Sequence, residues 1–159
     1  MKILIVSDTH KKVRNLDIAL DRVGHIDMLI HLGDLEGSEE YIAGAAGCPV
    51  HMVAGNNDFF TSLPKEKEIM IGNYKVFMTH GHYYYVSMGT EMLKKEARAR
   101  GAQIALFGHT HRPVIDCNDD VIAVNPGSIS YPRQDGRRPS FVMMELDRFG
   151  EAHFTVNYL

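Results

Sequence analysis

The alternation of short apolar runs with helix-patterned segments constrains the fold of this chain more than any other feature. Lys2 to Val6 is a continuous apolar run of the kind expected for a strand buried on both faces, and Met28 to Leu32 and Val50 to Ala54 are the next strand candidates. Between them, apolar residues recur at helical spacing over Leu16 to Val23, with Gly24 as a stop signal, and a second helix is predicted over Glu39 to Ala46. A strand–helix–strand alternation predicts parallel pairing with right-handed crossovers.

The middle of the chain breaks this alternation. Gly72-Asn73 is a two-residue hairpin signal, and it separates the strand candidates Glu68 to Ile71 and Tyr74 to Thr79. An antiparallel pair is therefore expected to interrupt the parallel pattern.

A third helix is predicted over Thr90 to Arg100, ending at Gly101, with Met92, Leu93 and Ala97 facing inward and most of its charges outward. The remaining strand candidates are Ile104 to Phe107, Val121 to Val124, Phe141 to Glu145 and Ala152 to Val156. The chain has 159 residues and no repeat, low-complexity tract or linker. We therefore expect a single α/β domain over residues 1–159, with its many strands in two packed sheets.

Short polar clusters follow directly on five of the apolar strand candidates. They are Asp8-Thr9-His10, Gly33-Asp34, Gly55-Asn56-Asn57-Asp58, His80-Gly81-His82 and Gly108-His109-Thr110-His111. In open α/β sheets, ligands bind in the crevice beyond the carboxyl ends of the strands. The five clusters are therefore expected to converge on one site.

The residue types in these clusters indicate a catalytic metal site. Asp, His and Asn offer oxygen and nitrogen ligands without sulfur, which suits Mn²⁺, Fe, Co²⁺, Ni²⁺ or Zn²⁺. Residues two apart in an extended segment point the same way, so Asp8 and His10, and likewise His109 and His111, can each present a ligand pair. Up to seven ligands exceed the needs of one tetrahedral ion and favour two ions that share a carboxylate.

Asp-x-His, Gly-Asp, Gly-Asn-x-Asp, His and Gly-His-x-His, in this order, resemble the calcineurin-like metallophosphoesterase superfamily and its small prokaryotic branch of single-domain phosphodiesterases. The resemblance runs from Asp8 through the segment Asn125 to Ser128. It assigns one ion to Asp8, His10, Asp34 and His111. It assigns the other ion to Asp34, Asn56, His80 and His109, so that Asp34 bridges the two.

The resemblance implies a four-layer sandwich, in which two packed mixed β-sheets are flanked by helices. It also implies a hydrolase with a dinuclear metal centre, manganese first with nickel, iron, cobalt or zinc as alternatives. In such an enzyme a hydroxide held between the ions attacks phosphorus in line. We expect a divalent-metal-dependent phosphodiesterase acting on a small phosphate ester. The alternatives are a phosphomonoesterase or nucleotidase of the same fold, and a non-catalytic scaffold like the similar retromer subunit, which lacks part of the ligand set.

Two further residues are catalytic candidates. Many relatives carry, in the position of Asn57, a histidine that can protonate the leaving group. Asn has no proton to give at neutral pH, so we expect a preference for diesters or good leaving groups, or else a tolerated variation with His82 or metal-bound water as the acid. His82 could instead contact the substrate or orient a ligand.

Four other groups have weaker signals. Asp58 is expected to support its loop, and the other four histidines, His25, His31, His51 and His153, to be packed or solvated. The run Tyr83 to Tyr85 favours packing or an interface over stacking on substrate. The loop with Arg133, Arg137 and Arg138 is either a solvated loop or a holder of a second phosphate.

Charge and cysteine content bear on compartment and partners. A net charge of −3 gives no general attraction to nucleic acid or an anionic membrane, so neither is expected as a partner. Cys48 and Cys117 are interpreted as reduced thiols that fill the core, and the start of the chain lacks a signal-peptide pattern. We expect a cytoplasmic protein, and symmetry favours a dimer or tetramer if it self-associates.

Overall fold

The strands of the protein form two five-stranded sheets in a computed structural model that describes residues 1–159. In chain order the elements are β1 (Lys2–Val6), α1 (Arg14–Val23), β2 (Met28–His31), α2 (Glu39–Ala46), β3 (Val50–Met52), β4 (Glu66–Ile71), β5 (Tyr74–Thr79), α3 (Glu91–Ala99), β6 (Ile104–Leu106), β7 (Pro113–Asp116), β8 (Ile122–Pro126), β9 (Ser140–Leu146) and β10 (Ala152–Tyr158). A short 3₁₀ turn covers His82–Tyr84.

Three parallel strands lie at one side of the first sheet and in the centre of the second, and the remaining strands of each sheet pair in antiparallel fashion. The first sheet has the order β10-β9-β1-β2-β3, with β1, β2 and β3 parallel, and the second has the order β4-β5-β6-β8-β7, with β5, β6 and β8 parallel. The predicted hairpin is confirmed: Ile71 pairs with Tyr74 across Gly72-Asn73. The parallel strands therefore end at the same edge of each sheet, where the polar clusters begin.

Three apolar clusters separate four layers. The central cluster joins the inner faces of the two sheets through residues such as Ile5, Val76 and Leu106. Leu16 of α1 and Ile42 of α2 pack on the outer face of the first sheet, and α3 packs on the outer face of the second. Burying one such side chain contributes roughly 1.5–3 kcal/mol, so these clusters hold the layers together. The predicted two-sheet sandwich with flanking helices is confirmed.

Two expectations are wrong, those for the faces of α3 and for Cys117, and one strand was not predicted. Met92 is 52% exposed, whereas Lys94 is fully buried, because Lys94 forms an ion pair beneath α3 with Asp116. Cys117 is exposed and does not fill the core, although Cys48 packs against it. Strand β7 was not predicted, since it is a short edge strand that begins with proline. No helix has the length and apolar character needed to cross a membrane.

Candidate metal centre

The loops that follow the strands are hydrogen-bonded to one another, and this brings the predicted clusters to one site. The amide of Asp8 donates to the carbonyl of Gly33 at 3.0 Å, and that of His10 donates to Asp34 at 2.9 Å. In the second sheet the amide of Gly108 donates to the carbonyl of His80 at 3.1 Å. The predicted convergence of strand ends is confirmed for these loops.

Five predicted ligand residues have left-handed backbone conformations. The positive φ angles are 57° at Asp8, 46° at His10, 59° at Asp34, 68° at His109 and 58° at His111. Such conformations cost on the order of 1–3 kcal/mol each in non-glycine residues and persist where the surrounding structure enforces them. The concentration of these costly conformations in five neighbouring loop residues indicates a functional site.

Two glycines allow the close approach of these loops. A Cβ on Gly55 would collide with the backbone nitrogen and carboxylate of Asp34. A Cβ on Gly33, where φ is 101°, would lie 2.7 Å from Nδ1 of His80 and from the amide nitrogen of Gly55. Any side chain at either position would displace Asp34 or His80, so the Gly-Asp and Gly-Asn patterns have a direct steric reason.

Four of the predicted ligands offer atoms that lie within 4.8 Å of one another: Asp8, His10, Asp34 and His111. Nε2 of His111 lies 3.0 Å from Oδ1 of Asp8, and Nε2 of His10 lies 3.8 Å from Oδ2 of Asp34. Asp8 and Asp34 are buried, and His10 keeps partial access to solvent. This group is a candidate cation site at the base of a cleft.

The other ring nitrogens of these histidines are hydrogen-bonded to acceptors. Nδ1 of His111 donates to the carbonyl of Tyr131, and Nδ1 of His80 donates to the carbonyl of Leu32, each at 2.6 Å. Nδ1 of His10 pairs with Oε1 of Glu36, also at 2.6 Å. Because these partners can only accept, Nδ1 holds the proton in each neutral ring and Nε2 presents a lone pair.

These lone pairs face carboxylate oxygens, which is unfavourable unless a positive charge lies between them. Oδ1 of Asp8 and Nε2 of His80 are buried and have no hydrogen-bond partner. A divalent cation would satisfy both atoms, and oxygen with imidazole nitrogen suits manganese, iron, cobalt, nickel or zinc. The residues present therefore fit the metal centre that the sequence implies.

The electrostatics of the site favour positive charge at the same place. Burial alone would lower the pKa of His80, but the carboxylates of Asp34 and Asp8 raise it overall. Burial also acts to raise the pKa values of Asp8 and Asp34, yet neighbouring histidines hold both below their usual range, with help from Asn57 at Asp34. Both carboxyl groups are therefore ionised at neutral pH and available to a cation.

The second predicted ligand set is only partly assembled. Nε2 of His80 lies 3.4 Å from Oδ2 of Asp34, at the edge of the first group. Asn56 and His109 contact each other instead, with Oδ1 of Asn56 3.0 Å from Nδ1 of His109. The rings of His80 and His109 are 5.3 Å apart, so His109 lies close to the first group.

Asn57 is hydrogen-bonded to the carboxylate of Asp34. Its backbone amide donates to Oδ1 of Asp34 at 2.9 Å, and its side-chain amide donates to Oδ2 at 2.7 Å. Asp58 accepts hydrogen bonds from the amides of Asp34, Glu36 and Gly55, which confirms that it supports the loop. Asn57 thereby fixes the orientation of Asp34 in this structure.

His82 lies beside the centre without a polar contact at Nδ1. Its ring is 5.6 Å from that of His80 and 6.0 Å from that of His109, and it packs against Tyr83. Burial, together with His80 and His109, lowers the pKa of His82 to about 4. Its neighbour Tyr83 is exposed, as is Tyr85, whereas Tyr84 is half-buried against Phe77.

Several groups that orient the ligands were not predicted from the sequence. Glu36 and the carbonyls of Leu32 and Tyr131 are such groups, and the hydroxyl of Ser128 donates to the carbonyl of Asp8 at 2.8 Å. Glu36 had a local signal, as an acidic residue two positions after Asp34, and Ser128 lies in the segment Asn125 to Ser128 where the family resemblance ends.

Comparison with known proteins agrees with this geometry. A family model described as the calcineurin-like phosphoesterase superfamily domain matches residues 1–148. The probable metallophosphoesterase YsnB of Bacillus subtilis is 31% identical over 148 residues, which cover 92% of this chain and 85% of YsnB.

Solved structures of similar chains have the same fold. A conserved protein of Streptococcus pneumoniae, described as a predicted phosphoesterase, superposes with a TM-score of 0.81 at 30% identity, covering 99% of this chain and 88% of that chain. Wild-type Vps29 of Entamoeba histolytica complexed with Zn²⁺ has a TM-score of 0.79 at 28% identity and covers 99% of both chains.

Proposed function

Since the chain belongs to the calcineurin-like phosphoesterase superfamily, we propose that it is a divalent-metal-dependent phosphodiesterase. The observation that carries this proposal is the convergence of Nε2 atoms from His10, His80 and His111 on the carboxylates of Asp8 and Asp34. Each Nδ1 is occupied by an acceptor, so the ligand atoms are already oriented before a cation arrives.

We propose that the centre holds two divalent ions, with manganese as the first choice. One would be held by Asp8, His10, Asp34 and His111, and the other by Asp34, Asn56, His80 and His109. Bound there, divalent ions supply Lewis acidity toward a phosphoryl group and lower the pKa of water toward neutrality. This chemistry requires no nucleophilic side chain.

The residues of the chain then have three tasks in the proposed reaction. Asp8 and Asp34 provide the negative charge that retains the cations, and Glu36 with the carbonyls of Leu32 and Tyr131 fixes the rings. Asn57 holds Asp34 through both of its N–H groups. His10 and His111 line the cleft through which substrate reaches the centre.

The family resemblance supports the preference for diesters, and the lack of a strong acid beside the centre supports a preference for good leaving groups. Asn57 cannot donate a proton, and a pKa of about 4 leaves His82 neutral at pH 7. A leaving group that departs without protonation is therefore favoured, as in diesters with an aryl alcohol. We include both Asn57 and His82 among the proposed active-site residues, Asn57 for positioning and His82 for contact with substrate.

The decisive experiment compares two chromogenic substrates with added Mn²⁺. We expect bis(4-nitrophenyl) phosphate to be hydrolysed faster than 4-nitrophenyl phosphate, and both activities to vanish on chelation and return with metal. A faster monoester would favour the phosphomonoesterase alternative. No turnover of either substrate, with metal bound, would overturn the enzymatic proposal.

A protein-binding scaffold is the second candidate, because the chain shares its fold with Vps29, a vacuolar protein sorting-associated protein. Metal content separates the two. Purification with excess Mn²⁺ is expected to leave at least one ion per chain, whereas a scaffold with a vestigial centre would retain far less and show no turnover.

A further inference from the structure

A cleft of about 670 Å³ opens beside the metal centre, and three arginines line it. His10 and His111 form its inner wall, and Arg112, Arg133 and Arg137 lie further out. A volume of this size is typical of sites for small organic ligands. The cleft is therefore continuous with the proposed reaction centre and large enough for more than the scissile phosphate.

The three guanidinium groups make no hydrogen bond or ion pair with the protein. Two arginines at the end of α3 differ in this respect: Arg98 binds Asp120 at 2.7 Å, and Arg100 binds Glu66 at 2.6 Å. The chain as a whole has a net charge of −3, so the concentration of unpaired positive charge here is local. Glu36 is the one carboxylate in the lining, and its Oε1 is engaged by His10.

The loop that carries Arg133 and Arg137 is hydrogen-bonded to residues of the metal centre, and Arg112 directly follows His111. The amide of Arg133 donates to the carbonyl of His111 at 3.0 Å, and the carbonyl of Tyr131 accepts from Nδ1 of the same histidine at 2.6 Å. The hydroxyl of Ser128 accepts from the amide of Tyr131 at 2.7 Å and donates to Asp8. An anion bound by the arginines would therefore lie at a defined place relative to the reacting phosphate.

We propose that this cleft is a second anion subsite, and that the physiological substrate carries a further phosphate group besides the ester that is cleaved. This inference rests on the proposed phosphoesterase function and narrows its substrate class to multiply phosphorylated esters. Guanidinium groups bind phosphate oxygens in bidentate geometry, so the arginines that line this cleft can together hold one phosphate group. The half-exposed ring of Tyr131, edge-on to His10, provides a surface for the part of the substrate between the two phosphates.

Arg138 provides a matched control on the same loop. It follows Arg137 directly, but its guanidinium donates to the carbonyl of Leu159 at 3.4 Å and does not line the cleft. Arg133 and Arg137 of this loop therefore line the cleft, whereas Arg138 does not.

The test compares two substrates that differ only in the second phosphate: the 4-nitrophenyl ester of thymidine 5′-phosphate with and without a 3′-phosphate. In Mn²⁺, the wild-type protein is expected to have a kcat/KM roughly tenfold or more higher for the bisphosphate compound, the effect of one good charge-assisted pair. Arg137→Gln and Arg133→Gln are each expected to lower this ratio about tenfold. Arg138→Gln should change it less than about twofold.

Equal kcat/KM for the two substrates in the wild type would overturn the subsite, and so would equal loss of the ratio in all three variants. Calorimetric titration with thymidine 3′,5′-bisphosphate and thymidine 5′-phosphate separates the subsite from the proposed function, because it needs no turnover. Tighter binding of the bisphosphate that depends on Arg133 and Arg137 supports the subsite even if neither ester is hydrolysed. The lack of hydrolysis would then overturn only the proposed function. Turnover with equal binding of the two nucleotides overturns only the subsite.

Discussion

Nε2 of His10 and Nε2 of His111 lie 3.4 Å apart and point toward the same space. Neither ring can donate to the other while Nδ1 of His10 is bonded to Glu36 and Nδ1 of His111 to Tyr131. Two lone pairs at this distance repel each other, and burial strengthens the repulsion. A cation between them converts the repulsion into coordination, which is why this pair of histidines is the sharpest indication of the metal centre.

Replacing one histidine of this pair should lower both the amount of bound metal and the activity. We expect His111→Ala to lower the bound Mn²⁺ by about one ion per chain and kcat/KM for the aryl diester by at least about 100-fold, since a catalytic metal contributes several kcal/mol. Metal analysis by mass spectrometry and initial rates test this. His25→Ala is the control, because its ring is 87% exposed and contacts only Asp27. A His111→Ala protein with unchanged metal content would contradict the assignment.

Asn57 should act through Asp34. Asn57→Ala removes one donor to the carboxylate and keeps the backbone bond, so we expect the Mn²⁺ concentration for half-maximal activity to rise about 10- to 100-fold, the usual effect of losing a group that orients a ligand. At saturating Mn²⁺, kcat should recover to within about tenfold. Asn157→Ala, which removes a donor only to the carbonyl of Thr155, should leave the metal dependence unchanged.

The Asn57→His variant tests separately whether a side chain at position 57 can protonate the leaving group. If the position serves the leaving group, as the family resemblance implies, a histidine should raise the rate on a poor-leaving-group monoester relative to the aryl diester. An unchanged ratio, together with weaker metal activation, would assign Asn57 to the orientation of Asp34 alone.

His82 should not act as an imidazolium acid. With a pKa of about 4, its ring is protonated only below about pH 5 and is neutral across the physiological range. We therefore expect His82→Gln to lower kcat by less than about tenfold and to leave the pH–rate profile between about pH 6 and pH 8 unchanged in shape. The loss of a descending limb in that range would show that the imidazolium donates the proton.

The sequence predicted the elements of this fold well where a local pattern determines them. The strand Lys2 to Val6 and the helix Glu39 to Ala46 have the predicted bounds, and Gly72-Asn73 forms the predicted turn. Apolar runs and turn residues act over a few neighbouring positions, so one sequence is sufficient to identify them. The convergence of the polar clusters followed from the shared direction of parallel strands.

Groups that act across the fold could not be predicted in the same way. The carbonyl of Tyr131 that orients His111 is 20 residues away along the chain, and every residue has a carbonyl, so no residue type marks it. The same holds for Lys94, which a helical pattern places with the exposed charges. Its carboxylate partners lie beyond β6, and only the packing of α3 on the second sheet brings them beneath it.

The ion pair between Lys94 and Asp116 should stabilise the attachment of α3 to β7. Nζ of Lys94 lies 2.8 Å from Oδ2 of Asp116, which also accepts from the hydroxyl of Thr90 at 2.7 Å. Asp116→Asn leaves a buried ammonium group with Asp119 alone, at 3.3 Å. We expect the free energy of unfolding to fall by about 3 kcal/mol, the lower end for breaking a buried pair, as measured by urea denaturation at pH 7.

The effect should depend on pH in a defined direction. The hydrogen bonds from Lys94 and then Thr90 lower the pKa of Asp116 to about 2, from an ordinary value of 3.8. A carboxyl group with a lowered pKa stabilises the folded state above its unfolded pKa, and this contribution is lost as the pH falls from about 4 toward 2. The difference between wild type and Asp116→Asn should therefore shrink at pH 3. Asp120→Asn, which removes an exposed pair with Arg98, should leave the free energy of unfolding nearly unchanged at either pH. An equal effect of both variants would contradict a specific role of the Lys94–Asp116 pair and indicate a general change in surface charge.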